Sequence, residues 1–371
     1  MELLSDQKKD YPNTDLPPGG YEWWYFDAID LENGYKCVII FYRANPFSLD
    51  YMKALENNRA IKAEDYPAVS ISIYRGDQTV YYSFTEFAHA DFKVTQDPLE
   101  IRIDLHSLQQ IFENGSIKYI LNLDEQLPGG DSISGELIFE SSSKPLHLNS
   151  ARESNKTHKH TWNLTQPRAQ VTGTVNVEHA GGNSEKITWR AIGYHDHNTG
   201  REPMKNEFDR WYWGRFHFNT YTLIYYAMFH QTSAYDDERE VEFQAWLMNN
   251  DSLAVQEYTD NMTFSDLSMN LFALFSKAKI EITGENMRIS IQQQKKLDNG
   301  PFYQRFLSNA LLHLPDGDGE QLEAALGITE FIRPDRIYSQ FFWPLVKMRI
   351  TKKNGKPHWV QKYPRLYRWT W

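Results

Sequence analysis

Gly193-Tyr194-His195-Asp196-His197-Asn198-Thr199-Gly200, followed shortly by Arg210-Trp211-Tyr212-Trp213-Gly214-Arg215-Phe216-His217, gathers histidines, an acid, an amide, two tryptophans and two arginines into one short span. In extended chain, successive side chains point to opposite faces. Trp211, Trp213, Arg215, His217 and Asn219 then share one face, and Tyr212, Phe216 and Phe218 take the other. The first face mixes aromatic rings with ionisable groups. A plain core has no use for Arg and His, so this face reads as the lining of a small-molecule pocket.

Strand patterns extend outward from this span in both directions. Ala28 to Phe41 reads as a hairpin turned at Asn33-Gly34, Ala68 to Phe84 as one turned at Gly76-Asp77, and Leu108 to Leu123 as one turned at Asn114-Gly115. Ser132 to Glu140 alternates again, and Leu345 to Lys362 reads as a last hairpin turned at Asn354-Gly355. Helical signals are few. They are Tyr51 to Glu64, in an insertion, and Ser265 to Phe275, neither with a capped amphipathic stripe. Polar Ser141 to Lys159 breaks the pattern and reads as an inter-domain connection, after which strands resume at Thr161 and alternate through Val171, Gly173, Val175 and Val177. Glu22-Trp23-Trp24-Tyr25-Phe26-Asp27 echoes Arg210 to Arg215, in the manner of two related β units in tandem. The expectation is an all-β chain with domains at 1–150 and 160–371.

Composition narrows the function classes. The 371 residues are 41% hydrophobic and 15% aromatic, a share that suits β-sheets and cavities for apolar ligands. The net charge of −10 argues against nucleic acid and against broad electrostatic docking on an anionic membrane. Cys37 is the single cysteine and sits in an apolar run, so it reads as a buried hydrophobe. Met1 to Asp10 has no apolar leader core, and no stretch approaches the ~20 apolar residues of a membrane span. The expected setting is cytoplasmic, peripheral to a membrane only through a lipophilic substrate. There is no Gly-x-Gly-x-x-Gly, Walker lysine loop or nucleophile elbow, so no cofactor and no serine nucleophile are expected.

Several motifs together resemble the carotenoid 1,2-hydratase (hydroxyneurosporene synthase) and AttH-like superfamily. They are Tyr21 to Asp27, Trp162 with Pro167 and Val171-x-Gly173, Gly193 to Asn198, Trp211-x-Trp213-Gly214-Arg215, Gly327-x-x-Glu330 with Pro334-x-Arg336, and Pro344 to Arg349. They keep chain order and touch both halves. The resemblance implies two calycin-like units, the first a β-sandwich or distorted barrel and the second a lipocalin-like barrel, with a pocket at or near the domain interface. It also implies an apolar polyene or isoprenoid held among aromatic rings and either hydrated or, as in distantly similar lipocalin-like Diels–Alderases, cyclised. Two departures stand out. Thr199 occupies a place where the hydratases tend to carry Trp, and the Tyr221-Thr222-Leu223-Ile224-Tyr225-Tyr226-Ala227 strand lacks the acid they tend to carry after Tyr.

Acid-promoted alkene chemistry needs a proton donor, electron-rich walls for the cation, and controlled access of water. Aromatic faces supply the walls, with ~2 kcal/mol or more per desolvated cation–π contact. Trp23, Tyr25, Trp211, Trp213 and Tyr225 are the expected wall, joined by Asn198 and Glu330 in binding. Asp196 is the first choice for an acid kept protonated by apolar surroundings, ahead of Asp27, Asp209 and Glu330, with His195 and His197 orienting or relaying protons. Strict alternation would put the two His and Asp196 on opposite faces, so the bracketing Gly193 and Gly200 suggest an irregular segment. Set against this, the same residues can tie a barrel end together by hydrogen bonds alone. His195, His197 and His217 could also supply three metal ligands, though no metal is the preferred reading. Trp24 is expected in the core, and Glu22 is expected to pair with Arg215 or Arg43. Glu330 is expected to bridge to Arg333 or Arg336. His158 and His160 are expected to lie in the linker without a site. A non-catalytic carrier of a hydrophobic ligand remains the alternative of a different class.

Overall fold

The computed structural model describes residues 2–13, 15–144, 146–148, 160–230, 241–259, 261–269, 275–276, 278–316 and 319–370. They form an all-β chain of two tandem calycin-like units, one built on a thirteen-stranded sheet and one on a nine-stranded sheet. The expected hairpins are present. Tyr21–Ile29 pairs with Tyr35–Ala44, Ala68–Arg75 with Gln78–Glu86, and His106–Glu113 with Ser116–Gln126, all antiparallel. Their turns use residues that tolerate positive φ: Gly34 at 74°, Gly76 at 64°, and Asn114 with Gly115 at 50° and 80°. Gly173 answers a different need. A Cβ there would lie 2.1 Å from the Glu136 carbonyl oxygen of the neighbouring strand, so only glycine lets the two backbones meet.

The division of the chain differs from the expected boundary. One compact unit takes residues 1–145, 151–203 and 338–371, and the other takes 146–150 and 204–337. The strands His160–Glu178 and Ser184–Gly200 therefore belong to the first sheet, where the latter pairs with Tyr21–Ile29. The polar stretch 141–159 lies largely outside the described residues. The strands on either side of it, Ser132–Ser142 and His160–Glu178, are hydrogen-bonded neighbours, so it connects strands of one sheet rather than two domains.

Three local expectations are also corrected. The last hairpin is replaced by a helix Trp343–Arg349 with Pro344 in its first turn, a two-residue strand Thr351–Lys352 parallel to Thr85–Glu86, and a 3-10 turn Trp359–Lys362. The insertion helix is shorter than expected, at Leu49–Glu56. Ser48 Oγ caps it by accepting from Tyr51 N, and a separate 3-10 turn follows at Ala63–Asp65. In place of a helix near 265–275 there is a pair of short strands, Ser268–Met269 and Phe275–Ser276, and residues 270–274 are outside the described set.

The interior of the second unit holds Tyr212, Phe216, Phe218, Leu223 and Tyr225 with isoleucines from the later strands. The expected alternation of the Phe208–His217 strand therefore holds. Tyr212 and Phe216 enter the core, while Trp211, Trp213 and Arg215 lie on the other face.

Candidate functional site

Ile192 to Gly200 pairs residue for residue with Ile29 to Tyr21, without a register shift. The irregular segment expected between Gly193 and Gly200 is thus a regular strand along this edge, because each backbone group finds its antiparallel partner. The shifts fall on the other neighbour, near Gln166. Strict alternation follows: His195, His197 and Thr199 point one way, and Tyr194, Asp196 and Asn198 the other. The expected catalytic trio is split.

The histidine face is a closed ion network. His195 Nε2 lies 3.0 Å from Asp10 Oδ2, and its Nδ1 donates to the Tyr25 carbonyl at 2.9 Å. His197 bridges Asp10 Oδ1 at 3.3 Å and Glu22 Oε1 at 3.1 Å. Glu22 also accepts from Arg43 Nη1 at 2.9 Å and from Asn13 N at 2.7 Å, and Arg43 reaches Glu64 as well. Tyr119 donates to Asp10 at 2.6 Å. Trp24 stacks on His197 with ring centres 4.5 Å apart, and Phe26 stacks on His195 at 3.9 Å. Trp24 is in the core as expected, and Arg43 is the partner found for Glu22.

Burial alone would lower the His197 pKa. Hydrogen bonds and charges from Asp10 and Glu22 outweigh it and raise the imidazole to about 9, so it is a cation at neutral pH. Burial likewise works to raise Asp10, but His195 and His197 hold it far below the usual carboxylate range. A buried cation between two buried anions is tightly committed, because loss of any one member strands a charge in low dielectric. This face clamps Asp10 and Glu22 against the strand through His195 and His197.

The opposite face has the composition of a binding surface. Asp196 Oδ2 accepts from Trp162 Nε1 and from the Tyr194 hydroxyl, both at 2.7 Å, and its Oδ1 accepts from Asn198 Nδ2 at 2.8 Å. That orientation of the Asn198 amide directs its Oδ1 to His160 Nε2 at 3.1 Å. His160 Nδ1 in turn meets the Tyr21 hydroxyl at 2.8 Å. Trp23 stacks on Tyr21 at 5.2 Å, and Tyr25 meets Tyr194 edge-on at 6.2 Å. Trp23, Tyr25 and Asp27 lie opposite Asn198, Asp196 and Tyr194 in register, so all six share this face. Burial raises the Tyr194 hydroxyl well above its ordinary pKa, and the charges of Asp196 and Asp27 add to the effect, so it stays a donor. His160, expected in a linker, is a full member of the network. The alternation of His160, Trp162 and Leu164 was a visible sign of that strand.

In the second unit, Trp211 and Trp213 share a face with Glu330, which lies opposite Trp213. Glu330 pairs with Arg305 Nε at 2.9 Å, and Arg305 sits directly opposite it on the adjacent strand. Tyr226 and Trp246 extend the aromatic surface, with ring centres 5.7 Å apart. Tyr225 does not belong to it. It lies opposite Gly214 and packs into the interior of the unit. Among the described residues no group of three or more His, Cys, Asp or Glu is arranged to hold a metal ion. No helix among them is long and apolar enough to cross a membrane.

Comparison with known proteins gives these arrangements a context. The family model "Carotenoid hydratase CrtC" matches residues 51–359. The chain is 29% identical over 357 residues to hydroxyneurosporene dehydrogenase of Chlorobaculum tepidum, covering 91% of this chain and 90% of that one. It is 24% identical over 207 residues to acyclic carotenoid 1,2-hydratase of Rubrivivax gelatinosus, covering 54% of this chain and 46% of that one. In fold it is similar to CghA, solved with Sch210972, with a TM-score of 0.59 at 13% identity over 85% of this chain and 89% of that one. It is equally similar to an AttH-type protein of Nitrosomonas europaea, with a TM-score of 0.59 at 14% identity over 89% and 97%.

Proposed function

The chain belongs to the CrtC carotenoid hydratase family, and from that premise we propose that it is a hydratase- or cyclase-type enzyme acting on a terminal double bond of an acyclic polyene. The observation that carries the reading is the Asp196 face, where one carboxylate with three converging donors stands among Trp23, Tyr25, Trp162 and Tyr194. Protonation of a trisubstituted alkene at its less substituted carbon leaves a tertiary cation. Aromatic faces stabilise that cation by about 0.5–2 kcal/mol per contact. Capture by water gives the tertiary alcohol, and the water's second proton must then leave. Capture by a neighbouring double bond closes a ring, and a ring proton must leave instead.

Hydrogen bonds from Trp162, Tyr194 and Asn198 are of the kind that favour the anion. In this reading Asp196 therefore flanks the cation and accepts the departing proton, rather than acting as the initial donor suggested by the sequence. Asp27, the carboxyl group opposite Tyr194 on the same face, is in this reading the donor of the initial proton, which Asp196 or the solvent later returns. Trp23 and Tyr25 form the wall of the first unit. Trp211, Trp213 and Glu330 form an aromatic and acidic surface of the second unit with the same chemical character. No cofactor has a part in this scheme.

The test is incubation of the protein with an acyclic carotenoid in detergent, with products analysed by mass. A gain of one water identifies hydration, and an isomer of unchanged mass identifies cyclisation. Asp196→Asn is expected to lower turnover by about 10²–10⁴-fold while substrate binding persists. Saturable binding with no product from the unaltered protein would overturn the enzymatic reading in favour of a carrier.

A further inference from the structure

We propose that residues 338–370 form a docking surface for an anionic lipid bilayer. This goes beyond the catalytic reading and does not depend on it. The segment contains eight Lys or Arg and no Asp or Glu, in a chain whose net charge is −10. Such segregation makes a local cationic field that the overall charge conceals. Lys352, Lys353 and Arg368 pair with Asp50, Asp104 and Asp131. Lys347, Lys356, Lys362 and Arg365 have no carboxylate partner among the described residues, and all four are exposed.

The same segment exposes large apolar groups. Phe341 is 81% exposed, Trp359 60%, Tyr363 57%, Leu366 42% and Trp369 83%. Elsewhere the described tryptophans are buried or half-buried, so Trp359 and Trp369 stand apart. Their exposure is built into the fold. Val346, Val360 and Tyr367 are buried beneath them. Gln361 Nε2 donates to the carbonyls of Lys347, Met348 and Ile350, and the Tyr367 hydroxyl donates to the Arg349 carbonyl at 2.8 Å. These bonds hold the helices Trp343–Arg349 and Pro364–Trp369 and the 3-10 turn Trp359–Lys362 together. Trp343, Lys347 and Trp359 also line an open groove of about 510 Å³.

Exposed indole and phenol rings beside unpaired Lys and Arg match the chemistry of a bilayer interface. The rings sit at headgroup depth and the cations meet lipid phosphate. A soluble surface has no use for apolar groups gathered this way.

The test is sedimentation of the full chain with phosphatidylcholine vesicles, with and without one-third phosphatidylglycerol, in the absence of any polyene. Its outcome is thus separate from that of the turnover assay. Binding to the anionic vesicles is expected, weakening as salt is raised, with tryptophan emission quenched by brominated acyl chains. Each basic residue near such a surface contributes about a fivefold factor. Lys347→Glu, Lys356→Glu, Lys362→Glu and Arg365→Glu together are therefore expected to lower partitioning by on the order of a hundredfold or more. A second variant, Trp359→Ser with Trp369→Ser, is expected to lose the quenching, both variants keeping the parental circular dichroism and melting temperature. The proposal is overturned if the unaltered protein ignores anionic vesicles or binds neutral ones equally. It is also overturned if either variant partitions like the parent, or if a soluble RNA competes all binding away.

Discussion

His197, held as a cation between Asp10 and Glu22, ties the stability of the first unit to pH in a way that can be calculated. The perturbation is a rise in pH. In the unfolded chain the imidazole titrates near its ordinary 6.5, and in the folded protein it titrates at about 9. A folded pKa above the unfolded one gives stability that is fully present below pH ~6.5 and lost as pH rises through ~9. The full contribution is on the order of 3 kcal/mol, and most of it disappears between pH 7 and pH 10. Near pH 8 the slope approaches one proton, or about 1.2 kcal/mol per pH unit. The assay is urea unfolding at a series of pH values, for the parent and for His197→Gln, which has no titration in this window. The gap in stability between the two is expected to narrow by roughly 2–3 kcal/mol from pH 7 to pH 10, with tyrosine and lysine titration cancelling in the difference. A gap that stays constant across that range would refute the assignment of a buried charged His197 and, with it, the clamp.

Further outcomes follow from neighbouring contacts. Arg43→Met removes one of the cations facing the fully buried Glu22 and is expected to cost about 3–5 kcal/mol in urea unfolding, so a loss below ~1 kcal/mol would show that His197 suffices alone. Tyr225→Phe removes a buried hydroxyl that has no hydrogen-bond partner among the described residues. It is expected to leave turnover unchanged and thermal stability equal or higher by up to ~1 kcal/mol, and a loss of turnover would return Tyr225 to the substrate wall.

The sequence displayed the strands and hairpins because their signals are local. Asn114-Gly115 carries its own turn chemistry, and Trp211 to Phe216 its own alternation. The shared face of Trp23 and Tyr25 was legible for the same reason, and so was the companionship of Asp196 and Asn198. What was hidden depended on pairing between distant segments. Asp10, in a polar leading stretch, gave no sign that 185 residues later His195 would bond to it. The regularity of Gly193 to Gly200 was masked by its two glycines, which proved to serve close packing. At Gly200 a Cβ would sit 2.0 Å from the Tyr21 ring. The His pair reads as catalytic because a cluster of titratable groups suggests catalysis until its partners are known, and here those partners are the buried Asp10 and Glu22 carboxylates, the Tyr25 carbonyl and the Thr199 hydroxyl. The boundary between units was hidden because the first sheet recruits its last strands from beyond a polar break. The last segment read as a hairpin because Asn354-Gly355 is a turn in either setting.

The first unit is interrupted in sequence, resuming only at residue 338 after the whole of 204–337 has intervened. During synthesis, Thr85 and Glu86 must wait for Thr351 and Lys352 before that edge of the sheet is covered. At ribosomal speeds of ~5–20 residues per second the interval from residue 203 to 338 lasts on the order of ten seconds. A nascent chain stalled before residue 338 would present an uncapped strand edge to chaperones, although the other strands of the first sheet, all within residues 2–200, had long been synthesised.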